Sequence, residues 1–161
     1  FIQDGLFLED NNGEWRNYGI ELIGEHRFTP NLTLYASFVW NDSEDKTRNE
    51  RPEHSPEYLF KTKMSYHHGP ITYGINILYV DSMSVDWEFL NNKSGEIVDS
   101  YWDLGANIRY QHPTNGFFAN LNGSNLLDTE IRYPGNSDTL DLTRNLIGPG
   151  LAVTATLGWE F

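Results

Sequence analysis

LAVTATLGWEF, residues 151–161, alternates without a break. Leu151, Val153, Ala155, Leu157, Trp159 and Phe161 fall on one side, while Ala152, Thr154, Thr156, Gly158 and Glu160 fall on the other. A two-residue period belongs to a β-strand, whose successive side chains point to opposite faces. One face is oily and the other is polar or small. Residues 102–111 repeat the pattern, with Trp102, Leu104, Ala106, Ile108 and Tyr110 opposing Asp103, Gly105, Asn107, Arg109 and Gln111. Three further runs follow it, from Leu32 to Trp40, from Tyr58 to Tyr66 and from Ile71 to Tyr79. Less regular strands are expected over residues 18–28 and 117–125, and another over 1–8, which makes about eight in all.

The connections alternate in length. Residues 29–31, 67–70 and 112–115 are short and carry Pro with Asn or Gly, the chemistry of tight reversals. Residues 42–56, 81–99 and 126–149 are long, with a shorter connection near 9–14. An antiparallel meander with short turns at one end and long loops at the other is the pattern of a transmembrane β-barrel in a bacterial outer membrane, with periplasmic turns and extracellular loops. Each strand also has about the 9–11 residues that a tilted strand needs to cross a bilayer. With the short turns on the periplasmic side, Phe28, Tyr66, Tyr73, Tyr110, Phe117 and Trp159 gather at one interface. Trp40, Tyr58, Tyr79 and Trp102 gather at the other, so two aromatic girdles result. Parity then puts the end of the chain in the periplasm. A terminal Phe161 preceded by Trp159 on the same face resembles the signal by which the barrel assembly machinery recognises its clients.

Composition is consistent with this and excludes other classes. The chain has 161 residues, of which 39% are hydrophobic and 14% aromatic. Its mean hydropathy of -0.54 would suit a soluble protein, because a barrel wall exposes only alternate residues to lipid. No run approaches the roughly 18 apolar residues of a membrane helix. A net charge of -12 argues against a nucleic-acid partner, whose phosphates call for Lys and Arg. The absence of Cys removes disulfides and thiolate chemistry. No spaced His pair, nucleophile elbow or glycine-rich phosphate loop occurs, so no catalytic residue, metal ligand or cofactor site is assigned and no enzyme is expected. Acidic side chains crowd the long loops, for instance Asp42, Glu44, Asp45, Asp86, Glu88, Asp138 and Asp141. They lack the ligand spacing of a calcium loop and are expected to form a solvated outer surface.

Three stretches resemble the barrel of TonB-dependent receptors. NYGIELIGEHRFTPNLTLYASFVWNDS (17–43) is similar to a recurring strand, turn and aromatic strand of that family, and RPEHSPEYLFKTKMSYHHGP (51–70) to its entry into a downward strand. In NGSNLLDTEIRYPGN (122–136), Asn125, Leu126, Leu127 and Asp128 look like an element that precedes the family's final loop and strand. The resemblance implies that residues 1–161 form the C-terminal portion of a 22-stranded barrel, with the plug domain and earlier strands outside this chain. It implies import of a scarce nutrient such as a ferric siderophore, energised by TonB through the missing N-terminal region, with outer-membrane lipid and the assembly machinery as further partners. Two rivals remain open: a complete eight-stranded outer-membrane barrel of structural or enzymatic role, and a soluble β-sandwich that binds carbohydrate. Glu21, Glu25, Arg27, Lys61, Lys63, Asp103, Arg109 and Glu160 fall on the inward face, where most are expected to pair with one another. No ligand-binding residue is assigned.

Overall fold

The computed structural model describes residues 2–3, 6–7, 13–47, 49, 51–52, 54–84, 97–134 and 145–160. Seven strands form one antiparallel meander: β1 (Trp15–Thr29), β2 (Leu32–Asp45), β3 (Tyr58–His68), β4 (Ile71–Val80), β5 (Tyr101–Gln111), β6 (Phe117–Ser124) and β7 (Ala152–Trp159). Each pairs only with its neighbours in the chain, so β1 and β7 are the two edges of an open sheet. In the region expected to hold a strand over 1–8, Ile2–Gln3 pairs with Leu6–Phe7 in a small ribbon apart from the sheet. Seven crossings that begin downward end in the periplasm just as eight that begin upward do.

The pairing register carries one apolar face across the whole sheet. Leu22 pairs with Phe38, Phe38 with Phe60, Phe60 with Tyr79 and Tyr79 with Trp102, while Ile108 pairs with Leu121 and Leu121 with Ala155. Among the described residues nothing covers this face: Leu22 is 62% exposed and Leu157 71%. Among the described residues the buried apolar side chains are Val80, Val98, Tyr101 and Ile131, all at the extracellular end. A soluble sandwich would bury such a face against a second sheet, and a soluble monomer rarely exposes an apolar patch of more than a few hundred Å². Lipid is the solvent that fits it. The rings of both girdles touch along the wall, Tyr66 with Tyr73 at 6.3 Å, Phe117 with Trp159 at 5.1 Å and Tyr79 with Trp102 at 4.8 Å.

β1 and β2 run higher than the alternation of residues 18–28 and 32–40 indicates. Their pairing continues through Gly19↔Asn41, Asn17↔Ser43 and Arg16↔Glu44 to Trp15↔Asp45. Above the girdle both faces meet water, so the hydrophobic period that marks a membrane strand disappears while backbone pairing persists. Polar cross-strand pairs take over: Arg16 bridges Glu44 at 2.7 Å, and the Ser43 hydroxyl donates to Asn17 Oδ1 at 3.2 Å.

The ends of the sheet differ as the loop lengths require. At the periplasmic end the turns are tied to one another, with His67 N–H donating to the Asn31 carbonyl and Gln111 N–H to that of Pro70, both at 2.8 Å. At the other end Lys46 begins the first long connection, and two long loops start as ribbons, Met83–Ser84 with Ile97–Val98 and Arg132–Pro134 with Asn145–Ile147. A single cysteine at Lys46 should therefore react with a membrane-impermeant maleimide on whole cells, whereas one at Thr114 should stay unlabelled. The reverse outcome would invert the topology.

Candidate functional site

The inner face of the wall and its extracellular rim hold the polar chemistry. Glu25, Tyr35, Lys63 and Asn76 stand side by side in one cross-strand row. Ile23, Ser37, Lys61, Leu78 and Asp103 stand in the next. The register places seven of the eight inward charges on this face, as the alternation predicts, and Glu160, just past the end of β7, meets Arg109 there.

Their pairing differs from expectation. Of these eight, only Arg109 and Glu160 form an ion pair among the described residues, at 2.8 Å, with Gln111 accepting a second Arg109 N–H at 2.8 Å and the guanidinium lying 4.5 Å from the Phe118 ring centroid. Asp103 instead accepts the backbone N–H of Asn125 at 3.2 Å. Glu21, Glu25, Arg27, Lys61 and Lys63 have no ion-pair partner among the described residues. For Glu25 and Lys63 the reason is geometric. Glu25 and Lys63 share a row with Tyr35 between them, so their backbones are two strand spacings apart, about 10 Å.

The Asn125–Asp128 element is a clamp at the base of the last loop. Asn125 and Asp128 both adopt left-handed backbone, at φ +46° and +50°, which Asn and Asp tolerate better than other side-chain-bearing residues. Asn125 is 3% exposed. Its amide donates to the carbonyls of Thr129 at 2.8 Å and Pro149 at 3.2 Å, and its Oδ1 accepts Thr129 N–H at 3.0 Å. Asp128 accepts Leu151 N–H at 3.3 Å, so the outgoing and returning limbs of the loop are joined twice. Leu126 packs over Gly123, where a Cβ would lie 2.7 Å from its Cδ2. Leu127 is 56% exposed and joins none of this. Asn125→Ala should cost about 2–4 kcal/mol, because it leaves buried backbone groups unpaired. A fall in the thermal midpoint of the folded receptor, with the loop becoming sensitive to protease in whole cells, would register it.

Above the polar rows the inner face turns apolar. Ile131, from the last long loop, packs against Val80 and Tyr101, with Leu59, Leu78 and Met83 around them. Val98 is 1% exposed. Tyr101 also meets Tyr133 edge to face at 6.3 Å. These contacts fold the loop bases over the inside of the wall. Sequence reading assigns Ile131, Val98 and Tyr133 no role, since a few isolated apolar residues in a loop carry no period. Beside them Glu57 receives Arg51 at 2.7 Å and the Trp40 indole N–H at 3.4 Å. The Arg51 hydrogen bond holds the Glu57 carboxyl below the ordinary carboxylate range. A lowered folded-state value means that the loop tie is complete above the ordinary glutamate range and is lost as pH falls through the lowered value.

Trp159 stands in the periplasmic girdle against Phe117, and Phe161 lies outside the described residues, as do Asp86, Glu88, Asp138 and Asp141. The family model described as TonB dependent receptor-like, beta-barrel, matches residues 3–126. The chain belongs to the TonB-dependent receptor family. Members of this family are bacterial outer-membrane proteins, and that membrane is where this wall resides. No curated protein sequence matches the chain.

Solved receptor barrels share the fold. FpvA of P. aeruginosa, bound to iron-loaded pyoverdine, superposes at a TM-score of 0.76 with 15% identity over 92% of this chain and 20% of its own. BauA, the ferric preacinetobactin receptor from Acinetobacter baumannii, gives 0.70 with 20% identity over 100% and 24%. The copper transporter OprC gives 0.71 with 16% identity over 93% and 24%. This TonB-dependent receptor chain thus spans a quarter or less of the length of each. The family match stops at Leu126, so the importance of Asp128 rests on the clamp geometry alone, and Leu127 takes no part in it.

Proposed function

We propose that the chain is the C-terminal part of the barrel of an active-transport receptor for a scarce nutrient, a ferric siderophore, with the plug domain of the same protein seated against its inner wall and energy supplied through TonB. The observation that carries this reading is the set of five inward charges, Glu21, Glu25, Arg27, Lys61 and Lys63, that find no ion-pair partner within the described wall. Charges of both signs, turned away from lipid and left without an ion-pair partner among the described residues, suit a folded polar body inside the barrel. FpvA and BauA, which take iron-loaded ligands, support the siderophore assignment.

Two measurements test it. Deleting the gene should abolish TonB-dependent uptake of iron from at least one ferric siderophore. Unchanged iron uptake together with reduced copper accumulation would overturn the siderophore in favour of the cargo of OprC. Reversing Lys61 and Lys63 to Glu in the full-length protein should loosen the plug and sensitise cells to large antibiotics that the outer membrane normally excludes. Sensitivity equal to that of wild type, at equal receptor level, would remove the plug from this face.

A further inference from the structure

Three ring pairs of one kind lie at the periplasmic foot of the lipid-facing surface. On β1 the rings of His26 and Phe28 meet edge to face with centroids 4.6 Å apart. On β3 Tyr66 and His68 stack at 6.4 Å, and at the end of β5 Tyr110 and His112 meet edge to face at 6.3 Å. In each pair the partners are two residues apart, on a strand running down into a short turn. Register puts His26, Tyr66, His68 and Tyr110 on the apolar face, opposite Leu34, Tyr73, Ile71 and Ala119. β2 and β4 separate the three strands, so the pairs recur at about 10 Å along the wall. That spacing is comparable to the width of one phospholipid headgroup.

The imidazoles have donors to give. Neither the His26 nor the His68 ring hydrogen-bonds to another described residue. His112 Nδ1 accepts the N–H groups of Thr114 and Asn115, each at 3.3 Å, which leaves Nε2 to carry the ring proton. No Lys or Arg competes at this depth. Arg27, Lys61, Lys63 and Arg109 face inward, and the other described Lys and Arg lie at the extracellular end. Among the described residues histidine is therefore the one side chain on this part of the lipid face that can become cationic.

We propose that the three His–aromatic pairs are binding sites for the phosphate of anionic phospholipids in the periplasmic leaflet. The aromatic ring lies at the headgroup boundary, where amphipathic rings settle, and the imidazole donates N–H to the phosphate. An imidazole donates whether neutral or charged, and its protonated form adds attraction for an anionic headgroup. The inference needs only the membrane wall and holds whatever nutrient is carried.

The test compares the full-length receptor with the H26F/H68F/H112F variant, which keeps three rings and removes the three donors. Each is titrated with phosphatidylglycerol or phosphatidylcholine, and bound lipid is counted by native mass spectrometry. Phosphatidylglycerol should bind the variant about fivefold more weakly at each site, and phosphatidylcholine, whose phosphate accepts the same N–H but whose headgroup carries no net charge, should lose clearly less. The H26Q/H68Q/H112Q variant, which restores an N–H donor, should recover part of the loss, and this separates lost binding from poor folding. Equal phosphatidylglycerol binding by wild type and the Phe variant would overturn the proposal. So would an equal loss for both lipids, which would leave the sites without preference for an anionic headgroup.

Discussion

Ala106→Arg should sharply reduce the amount of receptor in the outer membrane, whereas Asn107→Arg, one residue along β5, should leave it nearly unchanged. Ala106 stands on the lipid face between Leu104 and Ile108 and pairs across the strands with Ile75 and Gly123. An arginine there meets hydrocarbon near mid-bilayer, at a cost of about 2–4 kcal/mol in a barrel. Asn107 is on the inner face opposite Gly74 and Asn122, away from lipid, where water can solvate a guanidinium. Its replacement should cost less than about 1 kcal/mol. Quantitative blotting of outer-membrane fractions, with heat-modifiable migration as the folding readout, separates the two. Equal damage would mean that the register of β5 is wrong by one residue, since such a slip exchanges the faces.

Gly116→Ala should be more damaging than a methyl group suggests, and Gly69→Ala gives the scale. Both glycines occupy short periplasmic turns with positive φ, +72° and +56°. Left-handed backbone costs a side-chain-bearing residue about 1–2 kcal/mol. At Gly69 that is the whole penalty, because nothing lies within 4 Å of the position a Cβ would take. At Gly116 the same Cβ would lie 2.0 Å from the Glu160 carbonyl oxygen, on the backbone just past the end of β7. Relief requires that segment to move away, breaking the bond from Glu160 N–H to the Gly116 carbonyl at 2.8 Å and pulling Glu160 from Arg109. The combined loss should exceed about 3 kcal/mol. Comparing the heat-modifiability midpoints of the two variants tests this. If Gly116→Ala falls no further than Gly69→Ala, the end of β7 is not held where the structure puts it.

The wall was legible in the sequence because one physical rule governs it. From Leu32 to Trp40 and from Trp102 to Tyr110, every second residue must satisfy lipid, and no other constraint produces so regular a signal. The rule lapses where both faces are wet, which is why the extension of β1 and β2 to Trp15 and Asp45 escaped it. It says nothing about pairing across strands. Lys63 and Glu25 belong to the same inner face by alternation, but only the register reveals Tyr35 between them. The loop clamp was visible as a run of letters, Asn125 to Asp128. Its function was not, because the carbonyls of Thr129 and Pro149 that Asn125 joins lie 4 and 24 residues away.

The ties between the periplasmic turns decide where this protein can accept new sequence. Asn31 and His67 share a backbone bond, Pro70 and Gln111 share another, and Gly116 and Glu160 share a third, so each turn is fixed through its neighbours. Inserting even a few residues into one turn would displace strands two positions away. At the opposite end the cost of a longer loop rises only with the logarithm of its length. An epitope or a small domain placed between Lys46 and Arg51 should be displayed on the cell surface, while the same insert after Pro113 should prevent assembly. Diversification of the receptor is channelled toward the side that faces the outside world.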